Sequence, residues 1–210
     1  MHFAREGYPW IFGLGLGSLI FNLFGFQILG LLFLFLTLFV AYFFRDPERD
    51  APQSAQAILS PADGRVVTVE KNLKEGRFLN SLTTRVGIFM SPLDVHVNRV
   101  PISGQVTDVQ YRPGKFQAAY AAAASEVNEQ NAVVIQDPQG RRVLLIQVAG
   151  MLARRIVCAL QDGQRVNQGD RYGMIMLGSR VDLYCPPETE LKVQVGQRVK
   201  AGETVIGEYR

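Results

Sequence analysis

The chain has 210 residues, 48% of them hydrophobic, with 22 Lys and Arg against 19 Asp and Glu, a formal charge of +3 and a pI near 9.0. This leaves room for one modest globular domain plus a separate segment, and the mild basic excess suits an anionic membrane surface. The basic residues are scattered with no RNA-recognition or finger motif, which argues against nucleic acid, while Cys158 and Cys185 lack CxxC or Cys/His spacing and read as reduced residues of a cytosolic domain.

In chain order, the first element is apolar. No charged residue occurs from Trp10 to Phe44, whereas a spanning helix needs about 20 residues. One straight helix would overshoot the hydrocarbon core, so two short helices breaking near Asn22 to Gly25, or a re-entrant hairpin, are expected. Tyr8, Trp10 and Tyr42 suit interfacial positions, and Arg5, Arg45 and Arg49 put basic residues on both flanks, so both ends are expected to face the cytoplasm. Val40-Ala41-Tyr42-Phe43-Phe44 does not look like a signal-peptidase site. Residues 1–45 therefore read as a retained anchor in the inner membrane, with the remaining domain on the cytoplasmic side.

Arg45-Asp46-Pro47-Glu48-Arg49-Asp50-Ala51-Pro52 is charged and carries two prolines, which ends the helix and makes residues 46–59 a linker. From Ser60 the pattern turns to strands: Gly64 to Glu70, Thr84 to Met90, Gly104 to Gln110, Ala132 to Gln136, Arg142 to Val148 and Leu191 to Val195. Tyr172 to Met176 is a further strand-like run. Asp137-Pro138-Gln139-Gly140 predicts a hairpin turn, and the alanines of Phe116 to Asn128 predict a helix. Two glycine-punctuated stretches, Gln161 to Asp170 and Val195 to Glu203, read as similar β-turn units, too few for a solenoid. Residues 60–210 are thus expected to be mainly β, a sandwich or distorted barrel with one or two short helices, behind an N-terminal hydrophobic helical hairpin.

Within that domain, Leu177-Gly178-Ser179-Arg180 follows the run Tyr172 to Met176. A Gly-Ser pair alone is weak, since Gly17-Ser18 occurs inside the apolar segment, and an ordinary turn capped by Arg180 is the plain alternative. Held in a strained turn, however, the Ser179 hydroxyl could attack the Gly178 carbonyl to form an ester, which eliminates and hydrolyses to leave a pyruvoyl group on a new N-terminus. Such a carbonyl condenses with a substrate amine as a Schiff base and draws electrons from the bond to a departing carboxylate. His96, the one imidazole outside the N-terminal segment besides which only His2 exists, is the natural proton carrier near neutral pH, or else a satisfied core residue. Asp94 shares its strand face by the period of two and could orient it. Asp63, in Ser60-Pro61-Ala62-Asp63-Gly64, is a turn residue or an acid, base or orienter. A zinc site or a nucleotide loop lacks the required residues, so no metal is expected.

These stretches together resemble the phosphatidylserine decarboxylase proenzymes, in their short membrane-anchored form. The resemblance runs through Phe43-Phe44-Arg45-Asp46-Pro47, the Ser60 to Gly64 turn, Met90-Ser91-Pro92-Leu93-Asp94-Val95-His96-Val97-Asn98-Arg99, Ala124 to Glu129, Val148-Ala149-Gly150 with Ala153 to Ile156, and Gly173 to Arg180. It implies cleavage between Gly178 and Ser179 into a β chain, residues 1–178, and an α chain headed by a pyruvoyl cofactor made from Ser179, the two forming a heterodimer, with a homo-oligomer left open. It implies phosphatidylserine as substrate and phosphatidylethanolamine as product. It also assigns Asp63 and a histidine to self-cleavage, and a histidine to protonating the carbanion. Longer relatives carry two histidines in this segment and a Thr after the cleavage serine, where this chain has Arg99 and Arg180, so His96 alone is left to serve both steps. Arg45, Arg49 and Arg180 are candidates for attracting the lipid phosphate. A membrane-tethered adaptor or carrier is the rival reading, although neither Lys192 nor Lys200 has the Met or Asp neighbours of a carrier lysine.

Overall fold

A computed structural model describes residues 2–117, 127–151, 155–176 and 178–210. The chain divides into two compact units, Met1–Glu48 and Arg49–Arg210.

The first unit holds β1 (His2–Phe3), α1 (Tyr8–Leu23), α2 (Gln27–Phe43) and β2 (Arg45–Asp46), with β1 paired antiparallel to β2. Pro9 occupies the first turn of α1, where a missing N–H costs nothing. Gly25, at φ +82°, makes the break between the helices. The helices pack side by side through Phe21 on Phe33 and through Ser18, whose hydroxyl donates to Gly30 O at 2.8 Å. Gly30 faces the Asn22 side-chain amide, which would have to move aside for a Cβ there. No helix among the described residues is long and apolar enough to cross a membrane.

The second unit is mainly β. Its strands are β3 (Ala57–Leu59), β4 (Gly64–Glu75), β5 (Ser81–Met90), β6 (Val97–Arg99), β7 (Gly104–Arg112), β8 (Gln130–Gln136), β9 (Arg142–Val148), β10 (Ile156–Cys158), β11 (Arg165–Val166), β12 (Arg171–Ile175), β13 (Ser179–Cys185), β14 (Glu190–Leu191), β15 (Arg198–Val199) and β16 (Val205–Glu208). Eight form an antiparallel sheet in the order β11-β7-β8-β9-β13-β5-β4-β15, and two three-stranded sheets, β14-β16-β3 and β10-β12-β6, complete the unit. The large sheet keeps two edges, so it does not close on itself. One core runs from its inner face (Val86, Ile88, Leu145, Leu183) into the small sheets (Ile58, Ile206, Tyr172, Ile175). A smaller cluster, including Leu79, Leu144, Ile146 and Tyr184, covers the opposite face.

The registers repeat about an approximate two-fold centred where Leu145 faces Leu183, flanked by Ile146 opposite Asp182 and Leu144 opposite Tyr184. Under it β4, β5, β13 and β15 correspond to β7, β8, β9 and β11, and the sheet β14-β16-β3 to β10-β12-β6. The pairings β4–β5 and β7–β8 shift register at matching points, Val66/Thr68 and Val106/Asp108. Gly64 and Gly104 hold the same place, where a Cβ would fall 2.1 Å from Phe89 O or 2.2 Å from Gln136 O. The two glycine-punctuated stretches are the same turn on the two edges: Gly196 N donates to Val66 O and Gly163 N to Val106 O, and all four glycines, 163, 169, 196 and 202, have positive φ.

The expected strands from Gly64 through Val148 are present, and the turn Asp137 to Gly140 joins β8 to β9 with Gly140 at φ +84°. Leu191 to Val195 is a correction. The strand ends at Leu191, with a last backbone bond from Lys192 N to Ile206 O at 2.8 Å, and Gln197 N then donates to Gln194 O in a turn that leaves Val195 on the surface. Most of the helix expected over Phe116 to Asn128, residues 118–126, lies outside the described residues. At its ends Lys115 bridges Asn128, and the Asn128 side chain bonds Gln117 N, Gln117 O and Ala149 O.

Candidate active site

Ser179 opens β13 and is in register with Met90, the last residue of β5. It is completely buried, and its Oγ has no hydrogen-bond partner among the described residues. An orphaned buried hydroxyl costs about 1–3 kcal/mol, which a structural serine would avoid. The preceding residue, Gly178, has φ +67°, a conformation that favours glycine; Leu177 lies outside the described residues. By the internal two-fold, Gly178-Ser179 corresponds to Gly140-Arg141. There the Asp137 carboxylate secures the turn by accepting from Gln139 N and Arg141 N, both at 2.9 Å. Met90 stands in the matching place, so the Gly178-Ser179 turn has no such carboxylate.

His96 precedes β6 and is fully buried. Its Nδ1 lies 2.9 Å from Asp94 O. A carbonyl only accepts, so Nδ1 carries the proton and Nε2 presents its lone pair. The Asp94 carboxylate, expected to orient the ring, instead accepts from Ser91 N at 2.8 Å and Ser91 Oγ at 2.7 Å, since residues 91–94 form a turn rather than a strand. Ile175 N donates to His96 O at 3.3 Å, fixing the end of β12 beside the histidine three residues before Gly178. Asn98, also fully buried, points a side-chain N–H at Met90 Sδ, 3.7 Å away, and its Oδ1 accepts from Gln147 at 2.9 Å. Gln147 in turn accepts from Asn131 at 3.2 Å. This buried amide chain was not singled out from sequence; the signal was there in Asn98 sharing its face with His96 two residues earlier.

Asp63 is held apart from Ser179. Gly64 abuts Phe89 and Met90 of β5, and Ser179 pairs beyond Met90, which sets Asp63 about two strand spacings, or ~10 Å, away. Its carboxylate accepts from Arg49 Nη2 at 3.1 and 2.8 Å and from Ala201 N at 2.8 Å. Burial raises its pKa above the usual carboxylate value; the Ala201 N–H and Arg49 oppose this, and Asp94 adds to it.

Two of the phosphate candidates are relocated. Arg49, its side chain only 7% exposed, is enclosed between Asp63 and Glu203. Arg180 is completely buried: Nε lies 2.5 Å from Asp182 Oδ1, and Nη2 donates to Thr68 Oγ1 at 3.2 Å. It neither caps the Gly-Ser turn nor reaches a lipid head group. Arg45 donates to Tyr42 O at 2.7 Å and lies over the Tyr42 ring. Cys158 and Cys185 are free thiols, and burial pushes Cys185 up to about 11.

A buried serine whose hydroxyl has no partner among the described residues, directly behind a left-handed glycine, is the arrangement of a side chain that can act on its own preceding peptide bond. The sequence profile described as phosphatidylserine decarboxylase matches residues 36–207. A phosphatidylserine decarboxylase proenzyme of Syntrophus aciditrophicus is 44% identical over 207 residues, covering 98% of this chain and 97% of the relative. Proenzymes so named from Syntrophotalea carbinolica (48% over 204 residues, 97% and 95%) and Pelodictyon phaeoclathratiforme (50% over 172 residues, 82% and 80%) are similar to it as well. The chain belongs to the phosphatidylserine decarboxylase family.

Proposed function

We propose that this chain is a proenzyme that cuts itself between Gly178 and Ser179 and then decarboxylates phosphatidylserine to phosphatidylethanolamine. The observation that carries the reading is the buried Ser179 hydroxyl, without a partner among the described residues, behind Gly178 and inside the stretch matched by the family profile. Attack of Oγ on the Gly178 carbonyl carbon breaks the C–N bond and gives an ester with a new amine at residue 179. Loss of the Ser179 Cα proton expels the Gly178 carboxylate, and one water enters as one ammonia leaves, so that residue 179 ends as a pyruvoyl group. The residues present fit that group, which is made from Ser179 itself, a side chain already buried without a hydrogen-bond partner among the described residues.

The pyruvoyl group would supply a carbonyl that condenses with the substrate amine and accepts the electrons of the bond to the departing carboxylate. The protein residues do the rest. His96, its Nδ1 proton fixed on Asp94 O, offers Nε2 to take up a proton and deliver it to the substrate's α-carbon after the carboxylate leaves. Asp63, displaced toward Arg49, acts with the histidine during self-cleavage. Burial of Ser179, His96 and Asn98 excludes water, which favours carboxylate loss. The cleaved α and β chains stay together as a heterodimer.

For localisation, α1 and α2 embed in the inner membrane as a re-entrant anchor, with the β unit on the cytoplasmic side. At 16 and 17 residues the helices reach ~24–26 Å against a core of about 30 Å. Their exposed side chains, among them Trp10, Phe12, Leu23, Ile28 and Phe35, suit lipid contact. The test of activity is incubation with phosphatidylserine in detergent, with and without borohydride: carbon dioxide release and a reduced substrate adduct on the small chain are expected. Carbon dioxide release without an adduct on that chain would move the chemistry elsewhere.

A further inference from the structure

The two-fold supplies an internal control for the surface beside the site. The turn Gln194 to Glu203 and the turn Gln161 to Asp170 share their glycines, their Val on the sheet edge and their backbone bonds, but differ at particular exposed positions. Val195 replaces Asp162, Lys200 replaces Asn167 and, on the adjoining strand, Arg65 replaces Gln105; Arg198 and Arg165 match. Arg65 donates to Gly196 O at 2.7 Å, and Gln105 makes the same bond to Gly163 O at 3.0 Å, so the turn does not require the charge. The fold is thus indifferent to these three substitutions, yet the half that contains Ser179 is the one that is basic and apolar.

The residues form one rim. Arg65 is the register partner of Arg198, and Arg198 reaches Asp94 at 3.5 Å in the loop that leads to His96. Leu93 on that loop is 62% exposed and Val195 59%, while the Arg198 and Lys200 side chains are 73% and 65% exposed. The acids within reach are already engaged, Asp94 by Ser91 and Glu203 by Arg49 and Lys200. Two exposed apolar side chains among three cations match an anionic lipid surface, where basic heads meet phosphates and apolar tips enter the head-group layer.

We propose that the rim of Leu93, Val195, Arg65, Arg198 and Lys200 docks the β unit on an anionic bilayer and brings the loop that leads to His96 to the lipid head groups. This rests on the phospholipid substrate proposed above. The test reconstitutes the full chain in phosphatidylcholine vesicles with a fixed fraction of phosphatidylserine and increasing phosphatidylglycerol. It compares wild type with a triple variant that takes the other half's residues, Arg65→Gln, Val195→Asp and Lys200→Asn. Wild-type turnover should rise with phosphatidylglycerol and fall with salt, and the variant should lose about tenfold and respond to neither. Hydrogen exchange should slow in residues 91–95 and 194–200 on anionic vesicles, with residues 161–167 unchanged. A variant that responds as wild type does, or equal protection of both turns, overturns the proposal. Protection that tracks protein concentration instead would make the rim a contact between copies and overturn it too. Self-cleavage and turnover of dispersed short-chain phosphatidylserine should be unaffected in the variant, and a failure of these in wild type would count against the activity rather than the surface.

Discussion

At position 63 the chain carries its own comparison. Ser103 occupies the corresponding place, and its hydroxyl accepts from Gln168 N at 2.9 Å, as Asp63 accepts from Ala201 N at 2.8 Å. A hydroxyl therefore meets the structural need of this turn, and the charge of Asp63 answers to something else. Asp63→Ser should keep the far-ultraviolet dichroism of the wild type while slowing self-cleavage by about 10²–10⁴; cleavage at the wild-type rate would remove Asp63 from the reaction. Its titration gives a second check. Because burial already lifts the Asp63 pKa and Arg49 restrains it, Arg49→Met removes a group that favours the carboxylate. If cleavage needs the ionised form, its acid limb should then move to higher pH, read as cleavage rate against pH on denaturing gels. His96→Ala should abolish carbon dioxide release, and turnover retained by a fully cleaved His96→Ala chain would contradict its assignment.

Among the elements, β13 ties the site to the sheet. One face of it enters the main core through Val181, Leu183 and Cys185, and the other carries the buried pair Arg180 and Asp182, with Arg85 Nε 3.8 Å from Asp182 Oδ2. Gly87 lies directly above: a Cβ there would come within 2.3 Å of Arg180 Nη2 and 2.8 Å of Asp182 Oδ1. Neither partner can swing into solvent, so Gly87→Ala should cost about 1–3 kcal/mol, measured as a lower midpoint in urea; an unchanged midpoint would mean that the pair is not held as described. Such detail marks the limit of sequence reading. The long strands were legible because alternation over five or more residues is a sufficient signal, and Ser179, His96 and Asp63 were legible by residue type and context. Two- and three-residue strands such as β6, β11 and β15 are too short for periodicity and exist through distant registers. An arginine after Gly-Ser reads as surface, although Asp182 two residues on, on the same face, was the available hint of a buried partner.

Over the whole β unit, the two halves are nested: β7, β8, β9 and β11 lie in the chain between β5 and β15 of the other half. The paired strands β5 and β13 are consequently joined by the entire second half, whereas a direct hairpin joins β8 to β9. Cutting that turn removes one backbone bond and leaves β13 paired along β5 and β9, β15 on β4, and β16 on β3. The cleaved protein should therefore elute as one species under native conditions and part only in denaturant, whereas spontaneous loss of the small chain in buffer would contradict this arrangement. The most direct measurement of the central claim is denaturing mass spectrometry of wild type beside Ser179→Ala. Two chains, residues 1–178 and a pyruvoyl-headed 179–210, are predicted for the wild type and a single chain for the variant; an intact wild-type chain that still releases carbon dioxide from phosphatidylserine would contradict the account.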